Sequence, residues 1–341
     1  MIVAIDCGTT NSRVYVVDGK GTVLGRGSRK VGVRDTSITG SRAVLQAGLR
    51  DAFDEALSNA DIGLGKVRCI LSNGMITSEI GLKELPHLEA PVSIESLAQH
   101  IEEVGDLGVF PAGIPVYFIR GIKNRIAGMA GAGLSEVGYH DFMRGEETQI
   151  AGILQQGILN PPFTVAVLSS HTKYISVGAD GSILGSVTTL SGQLFEAIMA
   201  STSIGKSIQP MGDQVDPGVL DQRVIDSAYK WTREAGLLRS MLMPRFMDVL
   251  MQTEWYERKL FVESCIAAED IKALAQFGLL GLEMDTPYVL IGKPQRCALY
   301  QDLLERKAHI DRAITSVCED ERIESLSIHG LLLLAAKNNL I

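Results

Sequence analysis

The chain has 341 residues, 46% hydrophobic and 21% charged, which is more than one core usually accommodates and favours two domains of about 150 to 170 residues. A formal net charge of −8 repels nucleic-acid phosphates, and no Lys/Arg run reverses it locally, so no nucleic-acid partner is expected. Five scattered cysteines (Cys7, Cys69, Cys265, Cys297, Cys318) without a CxxC pair argue against a disulfide framework or a zinc site and for a reducing compartment.

The opening Met1-Ile-Val-Ala-Ile-Asp6 lacks a basic n-region and reads as a buried strand, not a signal peptide. Residues 13–17 and 22–26 make two more strands around the turn Asp18-Gly19-Lys20-Gly21. Helical patterns follow at 41–59, with Leu45, Leu49, Phe53 and Leu57 at four-residue intervals, and at 93–104, opened by a Ser cap. Strands at 67–71 and 115–119 alternate with them, giving a sheet with helices on its faces. A helix over 146–156 ends before the breaker Asn160-Pro161-Pro162. Strands at 163–168, 173–177 and 183–187, with a turn at 179–182, then repeat the opening plan. Residues 216–280 read as mostly helical, 288–291 as a late strand, and the chain as ending in a helix after Ser327. The apolar run at 328–336 is too short to cross a bilayer, so no membrane association is expected and the location is taken as cytoplasmic. The repeated strand, polar loop, strand, Asp-Gly turn, strand marks an internal duplication, with domains at 1–145 and 146–341.

The chemistry is read first from Asp6-Cys7-Gly8-Thr9-Thr10-Asn11. An acid ends a buried strand, Gly8 lets backbone N–H groups approach a phosphate, the polar side chains of Thr9, Thr10 and Asn11 add hydrogen bonds, and Asp6 can hold a hydrated magnesium ion. In Met143-Arg144-Gly145-Glu146-Glu147-Thr148-Gln149, two carboxylates open a helix, where its dipole favours their ionised forms. Neighbours on a helix point about 100° apart, so only one of them can serve a given hydroxyl as general base; Glu146 is slightly preferred, leaving Glu147 for metal or helix stability. Arg144 and Arg34 are the candidates for gripping a substrate carboxylate. Asn73-Gly74-Met75 could line a substrate pocket or form a plain turn.

These motifs resemble the acetate and sugar kinase/Hsc70/actin superfamily. The heptad at 143–149, Ser72-Asn73-Gly74-Met75, Gly32-Val33 and His171-Thr172-Lys173 are similar to the 2-dehydro-3-deoxygalactonokinases, sugar-acid kinases. The resemblance implies an α/β fold of two actin-like (ribonuclease H-like) domains with an interdomain cleft that closes to exclude water. It also implies ATP and magnesium as cofactors and a small-molecule sugar acid phosphorylated on its terminal hydroxyl, with catalysis by Glu146 or Glu147. A second phosphate contact is implied at Ser169, Ser170, Thr172 and Lys173, with His171 beside the substrate and adenosine near Gly292 and Lys293. The chain departs from the family pattern at Ser169, where a glycine is usual, at Gln193, where Glu is usual, and at Lys293-Pro294, where a small glycine-serine turn is usual. Two readings therefore stay open beside the kinase: a non-catalytic or regulatory binding homologue, and a phosphatase of the same fold. The sequence leaves a homo-oligomer possible and the sugar epimer undecided.

Overall fold

A computed structural model of the protein describes residues 1–126 and 133–341. In chain order the first half forms β1 (Ile2–Cys7), β2 (Ser12–Val17), β3 (Val23–Arg29), α1 (Val33–Thr39), α2 (Ala43–Ala60), β4 (Cys69–Gly74), β5 (Leu88–Glu89), α3 (Ile94–Gln99), β6 (Glu102–Val104), β7 (Val116–Phe118), β8 (Ile122–Lys123), β9 (Phe142–Met143) and α4 (Glu146–Gln156). The second half forms β10 (Phe163–Leu168), β11 (Thr172–Val177), β12 (Ile183–Thr189), α5 (Ser191–Ser201), α6 (Gln222–Ala235), α7 (Leu237–Val249), α8 (Trp255–Asp270), α9 (Ala275–Leu279), β13 (Tyr288–Gly292), α10 (Pro294–Arg306), β14 (Ile314–Val317) and α11 (Asp320–Lys337).

Packing divides the chain into two compact units: Met1–Pro162, Val177–Ser186 and Asp320–Ile341 in one, Phe163–Ser176 and Val187–Glu319 in the other. This grouping is not contiguous, unlike the halves drawn from sequence at 145/146. Helix α4, expected to open the second half, packs along α11 in the first unit. A side chain at Gly330 would sit 1.8 Å from the Thr148 carbonyl oxygen, so only glycine allows these two helices to lie so close.

The first unit carries a six-stranded sheet in the order β3-β2-β1-β4-β7-β6, with β1 antiparallel to β2 and parallel to β4. The four-residue stripe of α2 (Leu45, Leu49, Phe53, Leu57) packs into its core with Val3, Ile5 and Val14, as an amphipathic helix on a sheet must. The other sheet runs β12-β11-β10-β13-β14, with β10, β13 and β14 parallel. Each sheet thus places its opening meander on one side of the leading strand and two parallel strands on the other, with β6 added antiparallel at the edge of the first sheet. The duplication read from the loops is present in the strand order.

Some expectations are corrected. The helix expected over 93–104 ends at Gln99, and Glu102–Val104 instead pairs antiparallel with β7; apolar spacing over so short a run does not separate helix from strand. The Ser cap is real, since Ser93 Oγ accepts the Ser96 N–H at 3.1 Å. Replacing Ser93 by Ala should lower stability by about 1 kcal/mol, read as a lower urea midpoint at unchanged slope; an unmoved midpoint would remove the cap from the account. Strand β4 runs on through Asn73 and Gly74, so these two do not form a turn after it. Lys293-Pro294, set against the family's small glycine-serine turn and so read as a turn, is instead the start of α10, with Pro294 in its first turn, where a missing N–H costs nothing. The last helix starts at Asp320 rather than after Ser327. Helix α1, strand β14 and the small β5-β8-β9 sheet were not anticipated. Among the described residues no helix is long and apolar enough to cross a membrane.

Candidate active site

Strand β1 carries Asp6 to its C-terminal end, where the chain bends into β2. The Gly8 N–H donates to the Asn11 carbonyl at 2.9 Å, while the carbonyls of Gly8 and Thr9 accept from Val33 and Arg34 of α1 at 3.2 and 2.9 Å. The bend's carbonyls are therefore turned towards α1. Among the described residues no hydrogen bond engages the N–H groups of Thr9 and Thr10, and such consecutive donors suit an anion. Asn11 Nδ2 donates to Thr10 Oγ1 at 3.0 Å, and both residues are exposed.

The Asp6 carboxylate pairs with Arg13 at 3.4 Å and keeps 32% of its side chain open. Burial raises its pKa above the usual carboxylate range, opposed by Arg13 and reinforced by nearby Glu324. Among the described residues no group of three or more His, Cys, Asp or Glu could cage a metal. A single, partly open carboxylate fits magnesium, which keeps several waters and takes further oxygens from a bound phosphate.

Three segments distant in sequence meet beside this bend in the first unit. Asp6 and Asn73 stand side by side on the parallel strands β1 and β4. Asn73 Nδ2 donates to Thr148 Oγ1 at 2.6 Å and to the Gly145 carbonyl at 3.3 Å. Gly74 has φ +89°, and a Cβ there would lie 2.5 Å from the Cys7 carbonyl oxygen; the close approach of the two strand ends requires glycine.

The two acids of α4 have different surroundings. Glu147 is fully buried, and both its oxygens accept the Gly145 N–H, at 2.9 and 2.8 Å. Burial first, then the neighbouring Glu146 charge, push its pKa up to about 8. Glu146 is half-buried, and its Oε2 has no hydrogen-bond partner among the described residues. Asn73 Oδ1 and Gln149 Oε1 are buried without partners in the same way. Glu146 and Gln149, three residues apart, share a helix face. Buried acceptors without donors are costly, so this patch is suited to a ligand rich in hydroxyl groups.

The raised Glu147 pKa has a sign that can be measured. Between its ordinary value of 4.5 and about 8 the folded chain holds a proton that the unfolded chain has lost. Stability therefore falls as pH rises through that window, by up to about 1.4 kcal/mol per pH unit, and is flat above it. Urea midpoints measured from pH 5 to 8 should fall in the wild type and fall less in Glu147→Gln. Parallel profiles in the two proteins would contradict this account.

Arg144 is half-buried, and its terminal nitrogens are already engaged. Nη1 donates to Thr77 Oγ1 at 2.7 Å and Nη2 to the Leu85 carbonyl at 2.9 Å, with His87 Nδ1 at 3.5 Å. It ties the segment after Gly74 to the start of α4. Met75 opens the short helical turn within that segment. Arg34 is exposed on the first turn of α1, next to the Asp6 bend.

The second unit contains a cavity of about 520 Å³ lined by Ser169, Ser170, Gly192, Lys293, Arg296 and Tyr300, among others. The loop between β10 and β11 is tightly tied. Ser169 N–H and Oγ both donate to the His171 carbonyl, at 3.3 and 3.2 Å, and Gln193 N–H donates to the Ser170 carbonyl at 2.8 Å. A Cβ on Gly192 would stand 2.2 Å from the Ser169 carbonyl oxygen. Thr172 is fully buried, its Oγ1 2.6 Å from Ser191 Oγ, and so faces the interior rather than the cavity. Lys173 Nζ donates to Thr188 Oγ1 at 2.5 Å, and His171 Nδ1 lies 3.4 Å from Ser170 Oγ. Gly292 ends β13 opposite Leu168 of β10, and a Cβ there would stand 2.8 Å from the Leu168 carbonyl oxygen.

Sequence reasoning assigned no role to Gln149 and missed Arg296. Gln149 stood inside the quoted heptad but carries no charge to mark it. Arg296 was hidden by the turn assigned at Lys293-Pro294. The signal was available: Pro294 sets a helix start, and Cys297, Tyr300, Leu303 and Leu304 give helical spacing.

Two sheets of matching strand order, each opening with a strand, polar bend and Asp-Gly hairpin, define a protein of the sugar-kinase/actin-like class. A solved structure from Sinorhizobium meliloti, provisionally named a 2-dehydro-3-deoxygalactonokinase protein, has this fold with a TM-score of 0.72, covering 98% of each chain at 21% identity. The family model described as 2-keto-3-deoxy-galactonokinase matches residues 6–324, and the chain belongs to that family. It is also 24% identical over 248 residues to the 2-dehydro-3-deoxygalactonokinase of Escherichia coli (strain K12), covering 72% of this chain and 69% of the relative. A relative from Rhizobium meliloti (strain 1021), provisionally named for the same activity, is 23% identical over 240 residues, covering 70% and 68%.

Proposed function

We propose that this protein is an ATP- and magnesium-dependent kinase that transfers the γ-phosphate to the terminal hydroxyl of a 2-keto-3-deoxy sugar acid of the 2-dehydro-3-deoxygalactonate type. The observation that carries this reading is the family match across residues 6–324. The geometry adds support in the first unit, where acceptors on Asn73, Glu146 and Gln149 that have no partner among the described residues suit the hydroxyls of a sugar. A cytoplasmic location belongs to the same proposal.

In this mechanism the N–H groups of Thr9 and Thr10 hold phosphate oxygens, and Asp6 holds the hydrated magnesium. Magnesium, when bound, offsets charge on the phosphates as the transfer proceeds. Asn73 Oδ1 and Gln149 Oε1 accept hydrogen bonds from the sugar and fix its orientation. Glu146 Oε2 takes the proton from the attacking hydroxyl, which donates its oxygen lone pair to phosphorus as the bond to ADP breaks. Glu147, anchored on the Gly145 N–H, fixes the first turn of α4 and so the position of Glu146. Arg34 is the better candidate for the substrate carboxylate, because Arg144 is engaged by Thr77 and Leu85.

The test is ADP formation with magnesium-ATP and a panel of 2-keto-3-deoxy sugar acids. Sugar-dependent ADP release supports the kinase. Sugar binding without turnover would replace it by a non-catalytic homologue, a reading favoured by the tied loop at Ser169 and the inward-facing Thr172. Phosphate release from polyphosphate without any sugar would replace it by a phosphatase.

A further inference from the structure

The cavity of the second unit holds a fixed cation to which nothing above assigns a role. Arg296 lies on the first turn of α10. Its Nη1 donates to the Ser169 carbonyl at 2.8 Å, and its Nη2 donates to Thr172 Oγ1 at 3.0 Å and Ser191 Oγ at 2.8 Å. The guanidinium also lies over the Tyr300 ring, 5.6 Å from its centre. These contacts fix the plane of the group, and none of them carries a formal negative charge.

Three acids line the same cavity: Asp216 and Glu263 are held by Lys259, with Glu263 also within the field of Arg296, and Glu196 is exposed at the edge. Lys259, another cation lining the cavity, pairs with Asp216 at 2.6 Å and Glu263 at 3.7 Å. Asp270 accepts from the Tyr300 hydroxyl and from Thr189 Oγ1. Among the described residues Arg296 makes no ion pair of its own. A guanidinium stays charged at any ordinary pH, and a half-buried one gains most when an anion arrives to share it.

The rest of the cavity limits what that anion belongs to. Lys293 and the hydroxyl residues Ser169 and Ser170 line it together with Arg296, while Phe195, Val219, Leu220 and Tyr256 supply apolar and aromatic surface. A ligand with concentrated negative charge and a flat ring satisfies both, as a nucleoside polyphosphate does. The main chain at Ser169 is a poor phosphate donor, since its N–H is turned onto the His171 carbonyl. A side-chain cation can supply what this amide does not.

We propose that Arg296 is the polyphosphate anchor of a nucleotide bound in the second unit and sets the preference for a charged nucleotide over a bare nucleoside. This rests on the kinase reading for the identity of the ligand. The test measures binding of ATP, adenosine and inorganic tripolyphosphate, each with magnesium, to the full chain by calorimetry. The wild type is compared with Arg296→Met and Arg296→Lys.

The Met variant should bind ATP and tripolyphosphate about 10- to 100-fold more weakly, the loss expected for hydrogen bonds to a charged group, with adenosine nearly unchanged. The Lys variant keeps the charge without the fork and should lie between, so it still reads the effect if the Met variant does not fold. Equal weakening of ATP and adenosine would make Arg296 a structural clamp and overturn the proposal. So would unchanged ATP affinity, or a wild type that binds neither ATP nor tripolyphosphate. The kinase reading fails separately, if intact discrimination for ATP comes without sugar-dependent ADP.

Discussion

Replacing Glu146 by Gln is expected to lower kcat for sugar phosphorylation about 10²- to 10⁴-fold, the usual contribution of a general base. The KM for ATP should hardly move, because in the proposed mechanism the lost group acts on the sugar hydroxyl. Gln keeps the size of the side chain and its helix propensity, so the fold should be retained, as a thermal melt would show. Steady-state rates at saturating ATP and sugar acid read the effect directly. The contrast with Glu147 makes the test sharp. Glu147 has both oxygens on the Gly145 N–H, whereas Glu146 Oε2 is buried with no partner among the described residues. If Glu146→Gln kept full turnover while Glu147→Gln lost it without loss of stability, the roles would have to be exchanged.

Replacing Asp6 by Asn should lower kcat/KM by about 10²- to 10³-fold, comparable to removing one preorganised electrostatic contact at a transferring group. The variant should also need more magnesium to reach its own maximum rate, since an amide binds a hard cation more weakly than a carboxylate does. Arg13, 3.4 Å from Asp6, loses its anionic partner in this variant. That pair is partly exposed and should contribute little to stability, so the melting temperature should shift only slightly. A magnesium titration of the rate, run for both proteins, decides the matter: superimposable curves would remove Asp6 as the proposed metal ligand.

The site was only partly legible in the sequence, and the reason differs from residue to residue. The Asp6 bend was readable because its chemistry is local: strand end, glycine and hydroxyl residues are consecutive, and the Gly8 N–H closes on the Asn11 carbonyl, while the hold of α1 on the bend's carbonyls was not readable. The helix start at Glu146 was readable for the same reason. The difference between Glu146 and Glu147 was not, because both are acids on one turn. What separates them is which oxygen the fold leaves without a donor. Arg144 reads as a substrate grip in sequence, and its use on Thr77 and Leu85 depends on where the segment after β4 is placed.

The sequence by itself determined the duplicated meander, the buried stripe of α2 and the polar bend at Asp6, because periodicity and turn chemistry act between neighbours in the chain. Only the tertiary structure decided that Asn73 meets Thr148, 75 residues away, and that Arg296 meets Thr172 across 124 residues. It also placed α11 beside α4 at the far end of the chain. Such contacts follow from how whole helices and strands pack. A hydrogen bond between remote side chains is fixed by that packing and leaves no periodic trace in either segment.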